Sequence, residues 1–398
     1  MSGLISLHEA RAIIAKSAPA LDSEPVPLAE ALRRVLREDI AAAEDFPAFD
    51  RAAMDGYAVA ADDASERLRV VCEIQPGAVA MQRIGRGECA RIFTGAAVPP
   101  GASQVLMQED CEREGGWMKP LRRETQTWIR KRGEDARRGD ILLRAGVRLQ
   151  AGELSLLAQL GFVQPRVSPR PRVLHFATGN ELVDPATTPA SGQIRDSNST
   201  LIAALLAGCG AQLVLQRRCG DSREDLIGGV EASSPAKWDV LLISGGASVG
   251  DYDFGVRVLE QLGFTIHFRK INLRPGKPLV FAQRDRQLAF VIPGNPVSHI
   301  ATFHLAIRLA LECLECRGDP ALPLVRIKLR EKIASAPDPR ETWWPARVEI
   351  VDGTLLAHPL AWQSSGDLCG AARVNALLRI PPNSPPFVAD AEIESLLI

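Results

Sequence analysis

The strongest pattern in the chain is an alternation of apolar strands and helices between residues 172 and 317. Five apolar segments have the length and residue types of strands, at 172–178, 211–218, 238–244, 264–271 and 288–293. Segments with helical character lie between or after them, near 199–208, 222–232, 254–262 and 297–315. Apolar strands separated by helices are typical of a parallel sheet covered on both faces. Residues 169–317 are therefore predicted to form a doubly wound, mostly parallel α/β domain.

The first 168 residues have a different texture, with a β-rich part at 46–144 between helical parts at 1–45 and 145–168. The predicted elements are a first helix that docks through Leu4, Leu7, Ile13 and Ile14, strands at 68–75, 88–94 and 104–108, and a helix at 152–161. Residues 49–59 are too polar for a strand and are predicted to form a turn. The proline-rich segment 165–172 is predicted to be an exposed linker.

Residues 318–398 change again, to short strands separated by turn signals at 352–353 and 381–386. This spacing is typical of a small β-barrel or sandwich, and we predict the barrel. The whole chain is thus expected to be a multidomain α+β and α/β protein.

Composition excludes some classes of function. The 398 residues include 47 Lys and Arg against 48 Asp and Glu, which argues against a nucleic-acid binder with its clustered basic surplus. Neither a membrane span of roughly 18 apolar residues nor a secretory signal is predicted. The eight cysteines form no regular framework, and the lone CxxC of Cys313 and Cys316 is expected to hold free thiols rather than zinc. A cytoplasmic location is expected.

Glycines and polar residues follow four of the predicted strands. The segments are TGNE at 178–181, SGGASVGDYD at 244–253, INLRPGKP at 271–278 and PGNPVS at 293–298. Ligands of an open parallel sheet bind beyond the carboxyl ends of its strands. These segments are therefore expected to converge on one binding site.

The loop at 244–250 has the composition of an anion-binding loop, although a tight strand-to-helix turn is the alternative. Gly245, Gly246 and Gly250 allow backbone amides to approach a phosphate, and Ser244 and Ser248 add hydroxyl groups. The loop matches neither the Walker A pattern nor GxGxxG, so neither an NTPase nor a dehydrogenase is indicated.

Carboxylates near this loop indicate a magnesium site. Asp251 and Asp253 follow the loop, where a second carboxylate beside a phosphate favours Mg²⁺ over a solvated turn. Asp221 is either a second ligand or the cap of the following helix. Glu181 is a candidate metal ligand or general base, with an exposed loop carboxylate as the alternative.

The other two strand ends supply cations and a helix start. Arg274 and Lys277 flank a Pro-Gly turn and suit an oxyanion or a phosphate. Gly294, Asn295 and Ser298 stand where the next helix begins, with ordinary capping by Ser298 as the alternative. The histidines form no catalytic pattern and are expected to be structural.

Seven motifs in order resemble the MoeA/gephyrin-E family, the molybdopterin molybdenumtransferases. They are MDGYAV, RIFTGAAVP, TGNEL, QIRDSNS, ISGGASVGDYD, RPGKP and IPGNPVS, and the last 80 residues match more loosely through WQSSGD and VNALLRIPP. The resemblance implies an elongated, four-part subunit that forms a homodimer. It also implies an active site between the pterin-binding α/β domain and the N-terminal part of the partner subunit.

The resemblance further implies a reaction in which adenylylated molybdopterin and molybdate yield molybdenum cofactor and AMP, with Mg²⁺ required. Asp253, Asp221 and Glu181 would hold Mg²⁺, the 244–250 loop with Ser298 would bind the pterin phosphate, and Arg274 with Lys277 would attract molybdate. The same resemblance assigns oxyanion donors to Arg347 and to Ser364 or Ser365, and catalytic roles to Asp55 and Thr94 from the partner subunit. Molybdopterin adenylyltransferase and apo-molybdoenzymes are the implied protein partners.

Some positions depart from the family pattern. Asn180 stands where an acidic residue is common, Arg274 replaces a common lysine, and either Arg340 or Arg347 could be the oxyanion arginine. Three alternative functions remain. They are the related molybdopterin adenylyltransferase, a tungsten-selective paralogue and a non-catalytic scaffold like gephyrin.

Overall fold

The structure, a computed structural model, describes residues 4–60, 62–78, 81–233, 236–245, 252–317, 321–333, 337–362 and 366–398, without the side chains of 252 and 253. The chain divides into two compact units. Unit 1 comprises residues 1–37, 146–154 and 164–398, and unit 2 comprises residues 38–145 and 155–163. Unit 2 is thus inserted into the sequence of unit 1.

The described part of the first 168 residues contains two helices and twelve strands. They are α1 (Leu7–Ser17), β1 (Glu24–Pro25), β2 (Ile40–Ala41), β3 (Arg51–Ala52), β4 (Gly56–Val59), β5 (Leu68–Ile74), β6 (Glu88–Ile92), β7 (Gln104–Met107), β8 (Cys111–Glu114), β9 (Trp117–Pro120), β10 (Ile129–Arg130), β11 (Ile141–Leu143), α2 (Ala151–Gln159) and β12 (Arg166–Val167). Single 3₁₀ turns lie at Leu28–Glu30 and Gln108–Asp110.

Helix α1 begins with a capping box. Ser6 Oγ accepts from the Glu9 amide at 3.1 Å, and Glu9 Oε2 accepts from the Ser6 amide at 2.8 Å. Leu7 and Ile14 are buried in the core of unit 1 as predicted, but Leu4 is 46% exposed. The prediction for Leu4 was wrong because the helix starts only after Ser6, so the helical period does not extend to Leu4.

The proline-rich segment 165–172 is not an exposed linker, which corrects the sequence prediction. Its Arg166–Val167 pairs as strand β12 with strand β1. Val167 and Ser168 are fully buried, and the Ser168 hydroxyl donates to the Glu315 carbonyl. Proline is tolerated at the edge of a two-stranded pairing because no ladder bond has to start from its nitrogen.

Unit 2 is built on a six-stranded sheet in the order β7-β4-β6-β5-β9-β8. The three strands predicted from sequence are confirmed as β5, β6 and β7. The predicted turn at 49–59 was wrong in its second half, because Gly56–Val59 is the buried strand β4 between β6 and β7. This strand is only four residues long, and the Asp55–Gly56 pair at its start is typical of a turn, so the strand was not predicted.

Residues 172–314 form the central domain of unit 1. Its elements are β13 (Arg172–Thr178), β14 (Leu182–Val183), β15 (Ile194–Arg195), α3 (Ser197–Cys209), β16 (Gln212–Cys219), α4 (Arg223–Ala232), β17 (Val240–Ser244), α5 (Tyr252–Gln261), β18 (Thr265–Phe268), β19 (Leu273–Arg274), β20 (Val280–Arg284), β21 (Gln287–Ile292), α6 (Pro296–Thr302) and α7 (Arg308–Leu314), with a π turn at Phe303–Ile307 joining the last two.

The central sheet has the order β16-β13-β17-β21-β20-β18. Strands β16, β13, β17 and β21 are parallel, and β20 is antiparallel to both of its neighbours. Successive residues of β17 alternate between two core clusters, with Leu242 on one face and Ile243 on the other. Burial on both faces explains why the parallel strands are apolar throughout, and the predicted fold is confirmed.

The helix from Pro296 to Leu314 is long and apolar enough to cross a membrane, with a mean hydropathy of 1.3 over its most apolar window. Because 78% of that window is buried inside the protein, the helix is better explained as the core helix of unit 1. Phe303, Leu305 and Leu309 from this helix pack in the same core cluster as α1.

The C-terminal region is the predicted barrel. Its elements are β22 (Leu324–Leu329), β23 (Glu341–Val351), β24 (Thr354–Pro359), α8 (Leu368–Ala371), β25 (Ala376–Ile380) and β26 (Glu392–Leu397). Pairings β23–β24, β24–β22, β22–β26, β26–β25 and β25–β23 close a five-stranded ring. Ile327, Ala346 and Leu378 are among the residues that fill it.

Candidate active site

The parallel register brings several predicted site segments to one edge of the central sheet. Ser244 at the end of β17 is in register with Ala177 of β13 and Ile292 of β21. The turns that start at Gly179, Gly245 and Pro293 therefore leave the sheet side by side. An ideal Cβ on Gly294 would lie 3.8 Å from the Gly245 Cα, which shows how closely two of these turns approach.

Gly245 occupies a position that only glycine fits. Its φ is +99°, and an added Cβ would meet the Thr178 carbonyl and lie 2.8 Å from Thr178 Oγ1. Its amide donates to the Ile292 carbonyl at 3.1 Å. The predicted phosphate ligands Gly246, Ser248 and Gly250, and the side chain of Asp253, lie outside the described residues.

Asn180 and Asp221 bind each other at the ends of β13 and β16. The Asp221 amide donates to Asn180 Oδ1 at 3.1 Å, and the Asn180 amide donates to Asp221 Oδ2 at 3.3 Å. Asp221 does not cap α4, because Ser222 is the N-cap and accepts from the Asp225 amide. The capping alternative for Asp221 is therefore excluded.

Glu181 is exposed beside this pair, and its carboxylate packs over Gly179. No group of three or more His, Cys, Asp or Glu that could hold a metal ion occurs among the described side chains, which exclude that of Asp253. The donors that are described still fit Mg²⁺. They are exposed carboxylate oxygens, and Mg²⁺ is commonly held by one or two carboxylates together with phosphate oxygens and water.

Arg274 and Arg340 share one carboxylate. Arg274 Nη1 donates to Asp338 Oδ2 at 3.0 Å, and Arg340 makes a bidentate pair with Asp338 through Nε at 2.9 Å and Nη2 at 2.8 Å. The Arg340 side chain is the main cause that lowers the pKa of Asp338 to about 2. The guanidinium of Arg274 also lies 5.1 Å from the Trp362 ring centroid.

Two arginines and one carboxylate leave this cluster with a net positive charge. Arg347 is not part of the cluster, because it is an exposed residue of β23 opposite His358. The geometry thus favours Arg340 over Arg347 as the partner of Arg274. Lys277 is exposed on the same turn, and Ser364 and Ser365 lie outside the described residues.

Asn295 rather than Ser298 is the N-cap of α6, and Pro296 stands in its first turn. The capping alternative for Ser298 was therefore wrong, and Ser298 is buried inside the helix. Gly294 and Asn295 are exposed at the sheet edge. Asn198 Nδ2 donates to the Gly294 carbonyl at 2.6 Å, so α3 supports this turn. Asn198 was not predicted as a site residue, and the sequence signal that could have found it is its position in the QIRDSNS motif.

Ser244, like Ser298, is only 3% exposed. Its hydroxyl lies 2.8 Å from His175 Nε2 and 2.9 Å from His299 Nε2. Both histidines were expected to be structural from sequence, and their contact with Ser244 was not predicted. The signal available in the sequence was the alternation of side chains between the two faces of a strand. His175 follows Val173 by two residues and Ser244 follows Leu242 by two residues, so each lies on the same face of its strand as that apolar residue.

In unit 2, Asp55 and Thr94 come together although they are far apart in sequence. The Thr94 amide and Oγ1 both donate to Asp55 Oδ1 at 2.7 Å. These two hydrogen bonds, the amide first, lower the pKa of the Asp55 carboxyl group. Arg91 donates to the adjacent Gly56 carbonyl at 3.0 Å. Asp55 therefore presents a fixed, ionised and accessible carboxylate.

The fold is that of a multidomain α/β protein with glycine turns and carboxylates at the ends of its central strands and two arginines paired around Asp338. Three family models match successive parts of the chain. The MoeA N-terminal region (domains I and II) matches residues 5–161, the probable molybdopterin binding domain matches 175–312, and the MoeA C-terminal region (domain IV) matches 326–398.

Relatives match over almost the whole length. A molybdopterin molybdenumtransferase of Bacillus subtilis is 32% identical over 95% of this chain and 90% of its own, and one of Nostoc sp. is 34% identical over 94% and 90%. The crystal structure of the molybdopterin biosynthesis moeA protein from Pyrococcus horikoshii superposes with a TM-score of 0.84 at 29% identity, with both chains fully covered. The chain belongs to the MoeA family of molybdopterin molybdenumtransferases, which are transferases of molybdenum cofactor biosynthesis.

Proposed function

We propose that this protein inserts molybdenum from molybdate into adenylylated molybdopterin and releases AMP. The observation that carries the proposal is the placement of two kinds of group after the strands of one sheet. Exposed carboxylates follow β13 and β16, and Arg274, which belongs to a net positive arginine cluster, follows β18. A substrate with a pyrophosphate and an oxyanion needs both. The three family matches support a division of the chain into residues 1–168, 169–317 and 318–398.

The pyrophosphate would bind at the carboxylate side of the site. Asp221 and Glu181, with Asp253, would hold Mg²⁺, which when bound neutralises phosphate charge during cleavage of the phosphoanhydride. The reciprocal bonds with Asn180 fix the Asp221 backbone and carboxylate in one orientation. The glycine turn at 244–250, with Ser298, would hold the pterin phosphate through its amides.

Molybdate would be drawn to the cationic side. Arg274 and Arg340 are held in place by Asp338, so their remaining N–H groups are oriented before the oxyanion arrives. Preorganised donors stabilise an anion without the cost of ordering them at binding. Lys277 adds a mobile positive charge to the same turn, and Ser364 or Ser365 would add hydroxyl donors.

A homodimer would complete the site with Asp55 and Thr94 of the second subunit. Molybdopterin adenylyltransferase would supply the substrate, apo-molybdoenzymes would receive the product, and the reaction would take place in the cytoplasm. The full-length matches to molybdenumtransferases support metal insertion over the adenylyltransferase alternative, since all three family regions are present. A tungsten-selective enzyme differs only in the oxyanion that it takes.

The reaction is tested with purified protein, adenylylated molybdopterin, Mg²⁺ and either molybdate or tungstate. We expect AMP release that depends on the oxyanion, together with activation of a cofactor-free molybdoenzyme. Asp221→Asn should lose both signals, whereas Asp184→Asn, at a turn of the same domain, should keep them. Binding of the adenylylated pterin without either signal in the wild type would overturn the proposed function.

The shared site is tested by mixing two inactive variants. Asp55→Asn and Asp221→Asn would each inactivate both sites of their own homodimer. After subunit exchange, mixed dimers contain one intact site, so about a quarter of the wild-type activity should return. If the two variants stay inactive while native mass spectrometry, with one variant ¹⁵N-labelled, shows mixed dimers, Asp55 does not act in the site of the other subunit.

A further inference from the structure

The hydroxyl group of Ser244, at the end of β17, is the middle link of a hydrogen-bond chain. On one side His175 Nδ1 lies 2.9 Å from Gln216 Nε2, and the same Nε2 lies 2.9 Å from the Ser199 carbonyl. On the other side His299 Nδ1 lies 3.1 Å from the Asn295 carbonyl. His175 and His299 are both fully buried.

The direction of every bond in the chain can be assigned. The Ser199 carbonyl can only accept, so the Gln216 atom between it and His175 is the amide nitrogen, which donates to both. His175 Nδ1 therefore accepts, and its proton lies on Nε2, which donates to Ser244 Oγ. The Asn295 carbonyl also only accepts, so the His299 proton lies on Nδ1. Ser244 then donates its own proton to His299 Nε2.

This chain connects four elements that carry the candidate active site. Gln216 belongs to β16, His175 to β13, Ser244 to β17 and His299 to α6. Its last acceptor, the Asn295 carbonyl, belongs to the turn that precedes α6. The chain therefore joins the strand from which the glycine turn starts to the turn that carries Gly294 and Asn295. Burial lowers the pKa of His175 to about 3 and that of His299 to about 4, which keeps both rings neutral.

We propose that Gln216, His175, Ser244 and His299 are positioning residues that hold the end of β17 and the 293–296 turn in register for substrate binding. The Ser244 hydroxyl then serves this chain and not the pterin phosphate. An imidazolium at either position would donate where the chain requires an acceptor, so the chain works only with neutral rings. The inference rests on the proposed function for the identity of the substrate, but the chain can be observed without it.

The first test is spectroscopic and needs no substrate. Long-range ¹H–¹⁵N correlation spectra of the full ¹⁵N-labelled protein report the tautomer of each of its six histidines. We expect His175 as the Nε2–H tautomer and His299 as the Nδ1–H tautomer, assigned by His175→Gln and His299→Gln. Gln216→Glu places an acceptor opposite His175 Nδ1 and should move the His175 proton to that nitrogen. The same tautomer in both rings, or no response to Gln216→Glu, would overturn the chain.

The second test asks whether the chain acts through Ser244 or whether Ser244 touches the substrate. The affinity for adenylylated molybdopterin is measured by calorimetry for Ser244→Ala, Gln216→Met and the double variant, with Gln212→Met on the same strand as control. Positioning predicts that each single variant weakens binding by about tenfold and that the double variant is no worse. A direct phosphate contact predicts loss in Ser244→Ala alone, and this result would reject the proposal. If the wild type does not bind the pterin, the proposed function fails and the tautomer result still decides the chain.

Discussion

Asn180 and Asp221 bind each other through two backbone-to-side-chain hydrogen bonds, at 3.1 and 3.3 Å. The uncharged Asn180 side chain and the Asp221 carboxylate, which the proposed reaction uses for Mg²⁺, are therefore bound to each other's backbone amides. The amide oxygen approaches over Gly220, where an added Cβ would lie 2.8 Å from it. Asn180, which departs from the family pattern, is thus hydrogen-bonded to a candidate ligand of the site.

Asn180→Asp should make the protein depend on divalent cations for stability. Two carboxylates side by side repel, and a cation between them removes the repulsion. We expect the variant to melt below the wild type without Mg²⁺ and to regain most of the difference when Mg²⁺ is added. The measurement is thermal unfolding of both proteins over a Mg²⁺ titration. A variant whose melting temperature stays below that of the wild type at every Mg²⁺ concentration would mean that no cation binds between residues 180 and 221.

Arg340→Ala and Arg347→Ala should separate the two candidates for the oxyanion arginine. Arg340 shares Asp338 with Arg274, and Arg347 is exposed on the β23 strand. Losing Arg340 should raise the KM for molybdate by about tenfold, the size of one charged hydrogen bond. Arg347→Ala should leave the KM unchanged. The reverse result would place the oxyanion away from the Arg274 cluster.

Gly245→Ala should disrupt the glycine turn, whereas Gly208→Ala should be harmless. The alanine Cβ at 245 would collide with the Thr178 carbonyl at a left-handed φ of +99°. Gly208 lies in α3 with nothing within 4 Å of an added Cβ, so alanine should add up to about 1 kcal/mol of stability. Urea unfolding and pterin binding of both variants decide the matter. Normal binding by Gly245→Ala would show that this turn does not contact the substrate.

The free energy of unfolding should fall when the pH drops from 7 to 5.5. Burial lowers the pKa values of His175, His299 and His304 from 6.5 to about 3, 4 and 4. Below pH 6.5 these histidines are protonated in the unfolded chain but stay neutral in the folded chain. The free energy of unfolding therefore rises with pH between about 4 and 6.5. Between pH 7 and 5.5, each histidine should lower the free energy of unfolding by roughly 1 kcal/mol.

The charged groups that face these rings are Asp196 near His299 and Arg308 near His304. His304 Nδ1 has no hydrogen-bond partner among the described residues. His304→Leu should therefore remove about a third of the pH effect and stabilise the protein. Urea unfolding at pH 7 and 5.5 gives both numbers. An unchanged pH effect in the variant would mean that His304 is protonated in the folded state.

Much of the central sheet could be predicted from sequence because each parallel strand is buried on both faces and appears as an apolar run. Strand β20 was missed, since its hairpin turn at Asp285–Arg286 has no glycine and Asp285 itself adopts a φ of +50°. Strand β4 was missed because Asp55–Gly56 resembles a turn. In both cases local turn chemistry hid a strand that sheet pairing stabilises.

The candidate site could be predicted only as far as single strand ends allow. The positions of Arg274 and Asp221 follow from the rule that parallel strands end at one edge. The pairing of Arg274 with Asp338 depends on contacts between distant segments, and a single sequence carries no record of them. The orientation of Ser244 depends on strand register, which is likewise absent from the sequence.

The insertion of unit 2 into unit 1 has a consequence for synthesis on the ribosome. Helix α1 is made first, but Ile5 bridges to Ile271 and the Leu21 amide donates to the Leu314 carbonyl. Unit 1 therefore cannot close until the α7 helix has emerged, whereas the sheet of unit 2 is complete at Pro120. The nascent chain should fold from its inserted middle outward, with the α1 helix held unpacked until its partners arrive.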